Sequence, residues 1–132
     1  MRITLDTNVL LRVVLHDNPA QAKAAEKVLS NASLVAFPMP CLCELVWVLG
    51  RSYNFQRADI VRVLDTLCSA SNVAVDRAAV DAGIAALNAG GDFADGVIAF
   101  QGRWQGGETF VSFDKKAVGV LANQGYETKL LA

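Results

Sequence analysis

Four acidic side chains stand where a carboxylate can do chemistry in an α/β chain. Asp6 closes a short β-branched strand, and Glu44 follows the second predicted strand and a Pro-x-Pro turn. Asp95 opens a helical run, and Asp114 follows a late strand. Ligands of an open parallel sheet bind outside the carboxyl ends of its strands, so we expect the four to gather there. Gathered carboxylates repel one another unless a cation lies among them, and Mg²⁺ and Mn²⁺ prefer such oxygen ligands. The pattern predicts metal-assisted phosphate chemistry.

Each acid also has a simpler structural role to weigh. Asp6 and Asp114 each precede a predicted helix and could serve only as N-caps. Asp92 and Asp95 lie three residues apart on one helix face, and we predict Asp95 as the metal ligand and Asp92 as a cap or accessory acid. Glu44 stands alone in an apolar helix, where an unpaired ionised carboxylate is costly. Any one structural role is credible, but four at four element junctions favour a shared site.

Other side chains are candidates for supporting roles. Asn8 is predicted to orient Asp6, and Ser112 to hydrogen-bond a carboxylate or the substrate phosphate. Trp47 and Trp104 are predicted to be core or dimer anchors rather than base-stacking platforms. Candidates for phosphate contact, among which the pattern does not choose, are Arg12, Arg51, Lys115 and Lys116.

Composition limits the classes of protein. The chain has 132 residues, which predicts one domain over residues 1–132. Its hydrophobic fraction is 53%, and the surplus suggests a dimer interface. The net charge of −1 does not fit a protein that holds nucleic acid by charge alone. The lone His16 excludes multi-histidine metal sites. The three cysteines indicate buried apolar side chains in a reducing cytosol, and a cytoplasmic location without a membrane span is expected.

Strand and helix patterns alternate along the chain, which predicts an α/β fold with a mostly parallel sheet. Gly50 is predicted to close the third helix and Asn54 to cap the fourth. The predicted strands cover residues 2–5, 34–37, 72–75, 109–112 and 126–130, and the predicted helices cover residues 7–15, 19–30, 41–49, 54–69, 77–87, 93–104 and 115–123.

Four sequence segments, in order, carry a family resemblance over essentially the whole chain. They are Leu5-Asp6-Thr7-Asn8-Val9-Leu10, Glu44-Leu45-Val46-Trp47-Val48-Leu49, Asp92-Phe93-Ala94-Asp95-Gly96-Val97-Ile98-Ala99 and Ser112-Phe113-Asp114-Lys115-Lys116-Ala117. The chain resembles the PIN-domain nucleases, and among them the small VapC-type toxins of toxin–antitoxin pairs. The resemblance implies a three-layer α/β/α fold with a central, mostly parallel sheet of four or five strands. Gly96 and Phe100 depart from the common alanine, and glycine inside a helix costs stability.

The resemblance also implies an activity and partners. The implied activity is Mg²⁺- or Mn²⁺-dependent endoribonuclease cleavage that leaves a 5′-phosphate and a 3′-hydroxyl. Asp6, Asp95 and Asp114 would hold one ion, and Glu44, with Asp92, would help to hold a second ion or to orient water. Asn8 and Ser112 match accessory positions of the family. The implied partners are an RNA substrate, a second copy of the chain, and a cognate antitoxin that covers the acidic groove, with higher-order assembly on operator DNA.

Three alternatives remain open from the sequence. A receiver-like phosphoacceptor domain also has an acidic Mg²⁺ pocket, but Asp6 has no acidic neighbour, which that class requires. A catalytically silent PIN binding module would have a broken acidic set, and the set here is intact. The third alternative is a housekeeping RNA-processing nuclease of the PIN class; the compact chain favours the toxin type, and genomic neighbours would decide between them.

Overall fold

The computed structural model describes residues 1–132, which divide into two compact units, Met1–Asp76 and Arg77–Ala132. The first unit contains β1 (Arg2–Thr4), α1 (Thr7–Leu15), α2 (Pro19–Asn31), β2 (Leu34–Ala36), α3 (Met39–Ser52), α4 (Arg57–Cys68) and β3 (Val73–Ala74). The second contains α5 (Arg77–Asn88), α6 (Phe93–Trp104), β4 (Thr109–Ser112), α7 (Lys115–Asn123) and β5 (Glu127–Leu130). None of the helices is long and apolar enough to cross a bilayer.

The sheet of the first unit explains how two of the acids are presented. Its strands run in the order β1-β2-β3 and are parallel, with Arg2 opposite Leu34 and Val35 opposite Val73. Parallel strands end at the same edge of a sheet, so the turns after β1 and β2 leave from one edge. Asp6 lies in the turn after β1 as the N-cap of α1, and Glu44 lies in α3, which follows the turn after β2.

The core of the first unit depends on one stripe of α3. Leu42, Leu45 and Leu49 recur at helical spacing and are fully buried, together with Leu10 of α1 and Val35 of β2. Burying one such aliphatic side chain contributes about 1.5–3 kcal/mol. The stripe therefore fixes which face of α3 turns inward, and Glu44 and Trp47 are left exposed on the other side.

Two predicted helix ends in this unit were wrong. Gly50 does not close α3, because the helix continues to Ser52 and the left-handed turn is made instead by Asn54, with φ 55°. Asn54 does not cap α4 either, since the N-cap position belongs to Gln56, which makes no side-chain capping bond. A Cβ at Gly50 would lie 3.8 Å from Ile60 Cδ1 of α4, so Gly50 sits where α3 faces α4.

The second unit is built on a close approach of two helices beside a pair of strands. β4 and β5 are parallel, with Thr109 opposite Glu127. The buried ring of Phe93 lies against Gly83 of α5, where a Cβ would be 2.5 Å from the ring. At Gly96 a Cβ would lie 2.5 Å from the backbone oxygen of Ala82. Gly96, which the sequence marks as a cost to the helix, is therefore required by the packing of α6 on α5.

The predicted α/β class is confirmed, with five strands that all pair in parallel, three in the first unit and two in the second. The bounds of α1, α6 and α7 agree with the predicted ranges. Of the prediction that the tryptophans are core or dimer anchors, the core part was wrong, because Trp47 is 61% exposed and Trp104 is 79% exposed; the dimer part stays a prediction. Cys41 and Cys68 are buried as predicted, and Cys43 is half-buried.

Candidate acidic site

Asp6 lies directly between β1 and α1 and has two distinct carboxylate oxygens. Its backbone is extended, and its Oδ1 accepts a hydrogen bond of 3.1 Å from the backbone N–H of Val9, which caps α1. The second oxygen accepts no hydrogen bond, and the side chain is exposed. Asp6 can therefore cap its helix with one oxygen and bind a ligand with the other.

The Cys41 thiol lies near the two predicted metal ligands of the first unit, Asp6 and Glu44. Burial raises the pKa of this thiol, a hydrogen bond from Thr7 opposes that rise, and the negative charges of Asp6 and Glu44 add to it. The buried hydroxyl of Thr7 donates to Cys41 Sγ at 3.7 Å, which joins the start of α1 to the start of α3. Since Glu44 follows Cys41 by one helical turn, this contact helps to set the spacing of the two acids.

Sequence reasoning missed Thr7. It is the one buried polar residue of the core, and the sequence suggests for it no more than a share in capping α1. The signal was its position, because Thr7 precedes the buried Leu10 and Leu11 by three and four residues and so falls on the inward stripe of α1.

Three acids interact in the second unit. Asp95 lies half-buried in the first turn of α6. Its desolvation raises the pKa of the carboxyl, and the negative charges of Asp92 and Asp114 raise it further. Asp92 occupies the N-cap position of α6 but makes no side-chain capping bond. The unit thus holds a carboxylate whose burial and acidic neighbours both make its ionised form unfavourable.

Asp114 is the N-cap of α7, which is the structural role that its position before a predicted helix indicated. Its Oδ1 accepts hydrogen bonds from the backbone N–H groups of Lys116, at 2.9 Å, and Ala117, at 3.1 Å. The backbone N–H of Asp114 in turn donates to Ser112 Oγ at 2.9 Å. Ser112 therefore holds the turn that carries Asp114 and does not bond to the carboxylate. As in Asp6, one oxygen caps and the second remains open.

Other predicted residues stand apart from these contacts. Asn8 is exposed and donates no hydrogen bond to Asp6, so its orienting role stays a prediction. Arg12 pairs with Asp17 at 3.3 Å. A cleft of about 530 Å³ in the first unit, lined by residues that include Val13, Phe55 and Arg62, contains none of the predicted acids.

The donor set has the chemistry that a hard divalent ion requires. All the predicted ligands are carboxylates, and oxygen donors are what Mg²⁺ and Mn²⁺ bind. Burial, and after it the charges of Asp92 and Asp114, raise the pKa of Asp95, and a cation at this carboxylate would offset that cost. Within either unit, no three Asp, Glu, His or Cys side chains by themselves form a metal-binding group. What fits Mg²⁺ or Mn²⁺ is therefore the type of donor atom, which is a carboxylate oxygen in each predicted ligand.

The comparisons with known proteins agree with the four sequence segments. No curated protein matches the chain. A family model described as PIN domain matches residues 3–120. That range includes Asp6, Glu44, Asp95 and Asp114, and it covers most of both units. The chain belongs to the PIN domain family.

Proposed function

We propose that this protein is a Mg²⁺- or Mn²⁺-dependent endoribonuclease. PIN domains are generally metal-dependent nucleases, which supports a nuclease-type function. The observation that carries the proposal is the grouping of half-buried Asp95 with Asp92 and Asp114 in a chain of the PIN domain family; burial and these two charges raise the pKa of Asp95. A carboxylate held in such surroundings is the kind of group found at functional sites, because a bound cation offsets its cost.

The proposed ligands are Asp6, Glu44, Asp95 and Asp114, with Asp92 as an accessory acid. A bound divalent ion supplies a water of lowered pKa and offsets the charge that develops on the phosphate. Asp6 and Asp114 each keep one oxygen in a helix cap, which fixes the direction of the other oxygen. Ser112 positions Asp114 through its backbone N–H. Asp6 and Asp114 are thus already oriented by the backbone before the reaction begins.

The biological role that we propose is the toxin of a type II, VapC-type toxin–antitoxin pair in the cytoplasm. The support is the order and content of the four sequence segments, which resemble those toxins. The proposed partners are a cognate antitoxin, a second copy of the chain and an RNA substrate, with the toxin–antitoxin pair assembling on operator DNA. A housekeeping RNA-processing nuclease is the alternative with the same chemistry.

The experiment is cleavage of end-labelled total RNA by antitoxin-free protein with Mg²⁺, Mn²⁺ or EDTA. The test variant is Asp6→Asn combined with Asp95→Asn, and the matched control is Asp81→Asn, an exposed aspartate that pairs with Arg77. We expect discrete, metal-dependent products from wild type and control and none from the test variant. Equal cleavage by the test variant would refute the assignment of the acids. The absence of products in every lane, from folded protein that binds Mn²⁺, would instead support a binding module.

The toxin role has a separate test. Induced expression in a bacterial host should arrest growth, and the Asp6→Asn, Asp95→Asn variant should not. Arrest that a neighbouring small open reading frame relieves would support a toxin–antitoxin pair. Full growth during expression of active nuclease would favour the housekeeping alternative.

A further inference from the structure

The exposed face of α3 continues from Glu44 towards the end of the helix. Glu44, Trp47 and Arg51 follow one another at intervals of three and four residues, so they line one side of the helix. Trp47 lies about 4.5 Å and Arg51 about 10.5 Å along the axis from Glu44, at a rise of about 1.5 Å per residue. A ligand bound at Glu44 and extending along this side meets the indole first and the guanidinium next.

Trp47 and Arg51 form a composite aromatic and cationic surface. The indole is 61% exposed, and the guanidinium carbon of Arg51 lies 5.8 Å from the ring centroid. This geometry is a cation–π contact, which aligns the two groups along the helix.

Arg51 differs from two other arginines of the first unit, Arg12 and Arg62, because it has no carboxylate partner. Arg12 pairs with Asp17 and Arg62 pairs with Asp59, whereas no carboxylate pairs with Arg51. Its positive charge is therefore available to an anion. Arg51 also lies on the same face of α3 as Glu44, a proposed metal ligand, whereas Arg12 and Arg62 lie on α1 and α4.

Single-stranded nucleic acid fits this surface better than a protein partner does. An exposed indole stacks on any base, and a guanidinium pairs with a phosphate in a planar, bidentate manner. A stable protein interface buries about 800 Å² per partner, whereas one aromatic side chain supplies roughly 150–250 Å². Acidic Glu44 and basic Arg51 flank the indole on its helix face, so the apolar area there is small.

We propose that Trp47 stacks on a base of single-stranded RNA close to the scissile phosphate, and that Arg51 contacts a neighbouring phosphate. The inference rests on the proposed function, because Glu44 places the scissile phosphate at the start of this face. It replaces the prediction that Trp47 is a core or dimer anchor. The two side chains position the substrate and act before the chemical step.

The experiment measures binding without cleavage. A fluorescein-labelled, unstructured RNA is titrated with protein in EDTA, and anisotropy gives the Kd. Trp47→Ala should weaken binding about 10-fold, which lies within the range for loss of one base–aromatic stack, and Trp47→Tyr should restore most of it. Arg51→Ala should also weaken binding, and the slope of log K against log salt concentration should fall in magnitude by about 1, because one phosphate contact is lost. The matched control is Trp104→Ala, which removes an exposed tryptophan of α6 and should leave the Kd unchanged.

The same variants are run through light scattering to determine their oligomeric state. The proposal is overturned if wild type binds no RNA, if Trp47→Ala keeps the wild-type Kd, or if Trp104→Ala weakens binding equally. It is also overturned if Trp47→Ala separates a dimer, because Trp47 is then an interface residue. Trp47-dependent binding without any metal-dependent cleavage would refute the nuclease proposal alone. Cleavage with an unchanged KM for Trp47→Ala would refute only the present inference.

Discussion

An alanine at position 96 should destabilise the protein, although alanine is the better helix former. The added Cβ would lie 2.5 Å from the backbone oxygen of Ala82, 2.8 Å from Ala86 Cβ and 3.0 Å from Gly83 Cα. The contact with Ala86 is about 1 Å shorter than the ~3.5–4.0 Å at which carbon atoms attract. Since two of the obstructing atoms belong to the backbone of α5, no side-chain rotation relieves the overlap.

The magnitude follows from two opposed terms. Replacing a helical glycine by alanine gains about 1 kcal/mol in helix propensity. Overpacking costs typically 1–3 kcal/mol, and an obstacle of rigid backbone places this site at about 3 kcal/mol. Gly96→Ala should therefore lose about 2 kcal/mol. Gly102→Ala lies in the same helix with nothing within 4 Å, so it should keep the propensity gain of up to about 1 kcal/mol.

The assay is reversible unfolding of both variants by heat and urea, followed by circular dichroism. The two midpoints should differ by roughly 10 °C, because 1 kcal/mol shifts Tm by about 4 °C in a domain of this size. Gly96→Ala should also cleave RNA more slowly, since Asp95 is its neighbour on α6. A Gly96→Ala protein as stable as Gly102→Ala would refute the close packing of α5 and α6.

Four further outcomes follow from the acids and from Thr7. Asp95→Asn should raise the Tm of the metal-free protein near neutral pH, because the pKa of Asp95 is raised in the folded state and its ionised form is therefore destabilising. This gain in Tm should shrink as the pH falls towards about 3.9, the pKa of an aspartate in the unfolded chain. Mn²⁺ at about 100 times its Kd should stabilise wild type by about 2.7 kcal/mol in a thermal-shift assay and should not stabilise Asp95→Asn. Asp114→Ala should lose about 1 kcal/mol of stability in urea unfolding with the cap, whereas Asp114→Asn should keep most of that stability and still lose RNA cleavage. Thr7→Val should lower the cleavage rate with little change in Tm, because it removes the hydroxyl bonded to Cys41 and keeps the buried volume; an unchanged rate would exclude that contact as a positioning device.

Local signals predicted most of the elements, and tertiary contacts account for the failures. Asp6 and Asp114 cap α1 and α7 through their own side chains, so these helix starts could be read from the sequence. The end of α3 could not, because Gly50 faces α4 and the left-handed residue is Asn54. The need for glycine at position 96 likewise arises only from the packing of α6 against α5.

The acids of the candidate site were easier to find than their supporting contacts. Residue type and position were enough to select Asp6, which follows β1, and Asp95, which lies in the first turn of α6. The hydrogen bond from Thr7 to Cys41 joins residues 34 apart, which no local pattern encodes. The exposure of Trp47 could have been predicted from the sequence, because Trp47 lies outside the stripe formed by Leu42, Leu45 and Leu49.

The most direct test of the central claim is single-turnover cleavage of one mapped RNA by Asp6→Asn, Asp95→Asn and the double variant. If the two acids serve one metal-dependent step, each single change should slow cleavage by about 10²-fold or more, and the double variant should be no slower than the slower single variant. Asp81→Asn should cleave at the wild-type rate. Single variants that stay within a few-fold of wild type, or losses that multiply in the double variant, would contradict a shared catalytic role for these carboxylates.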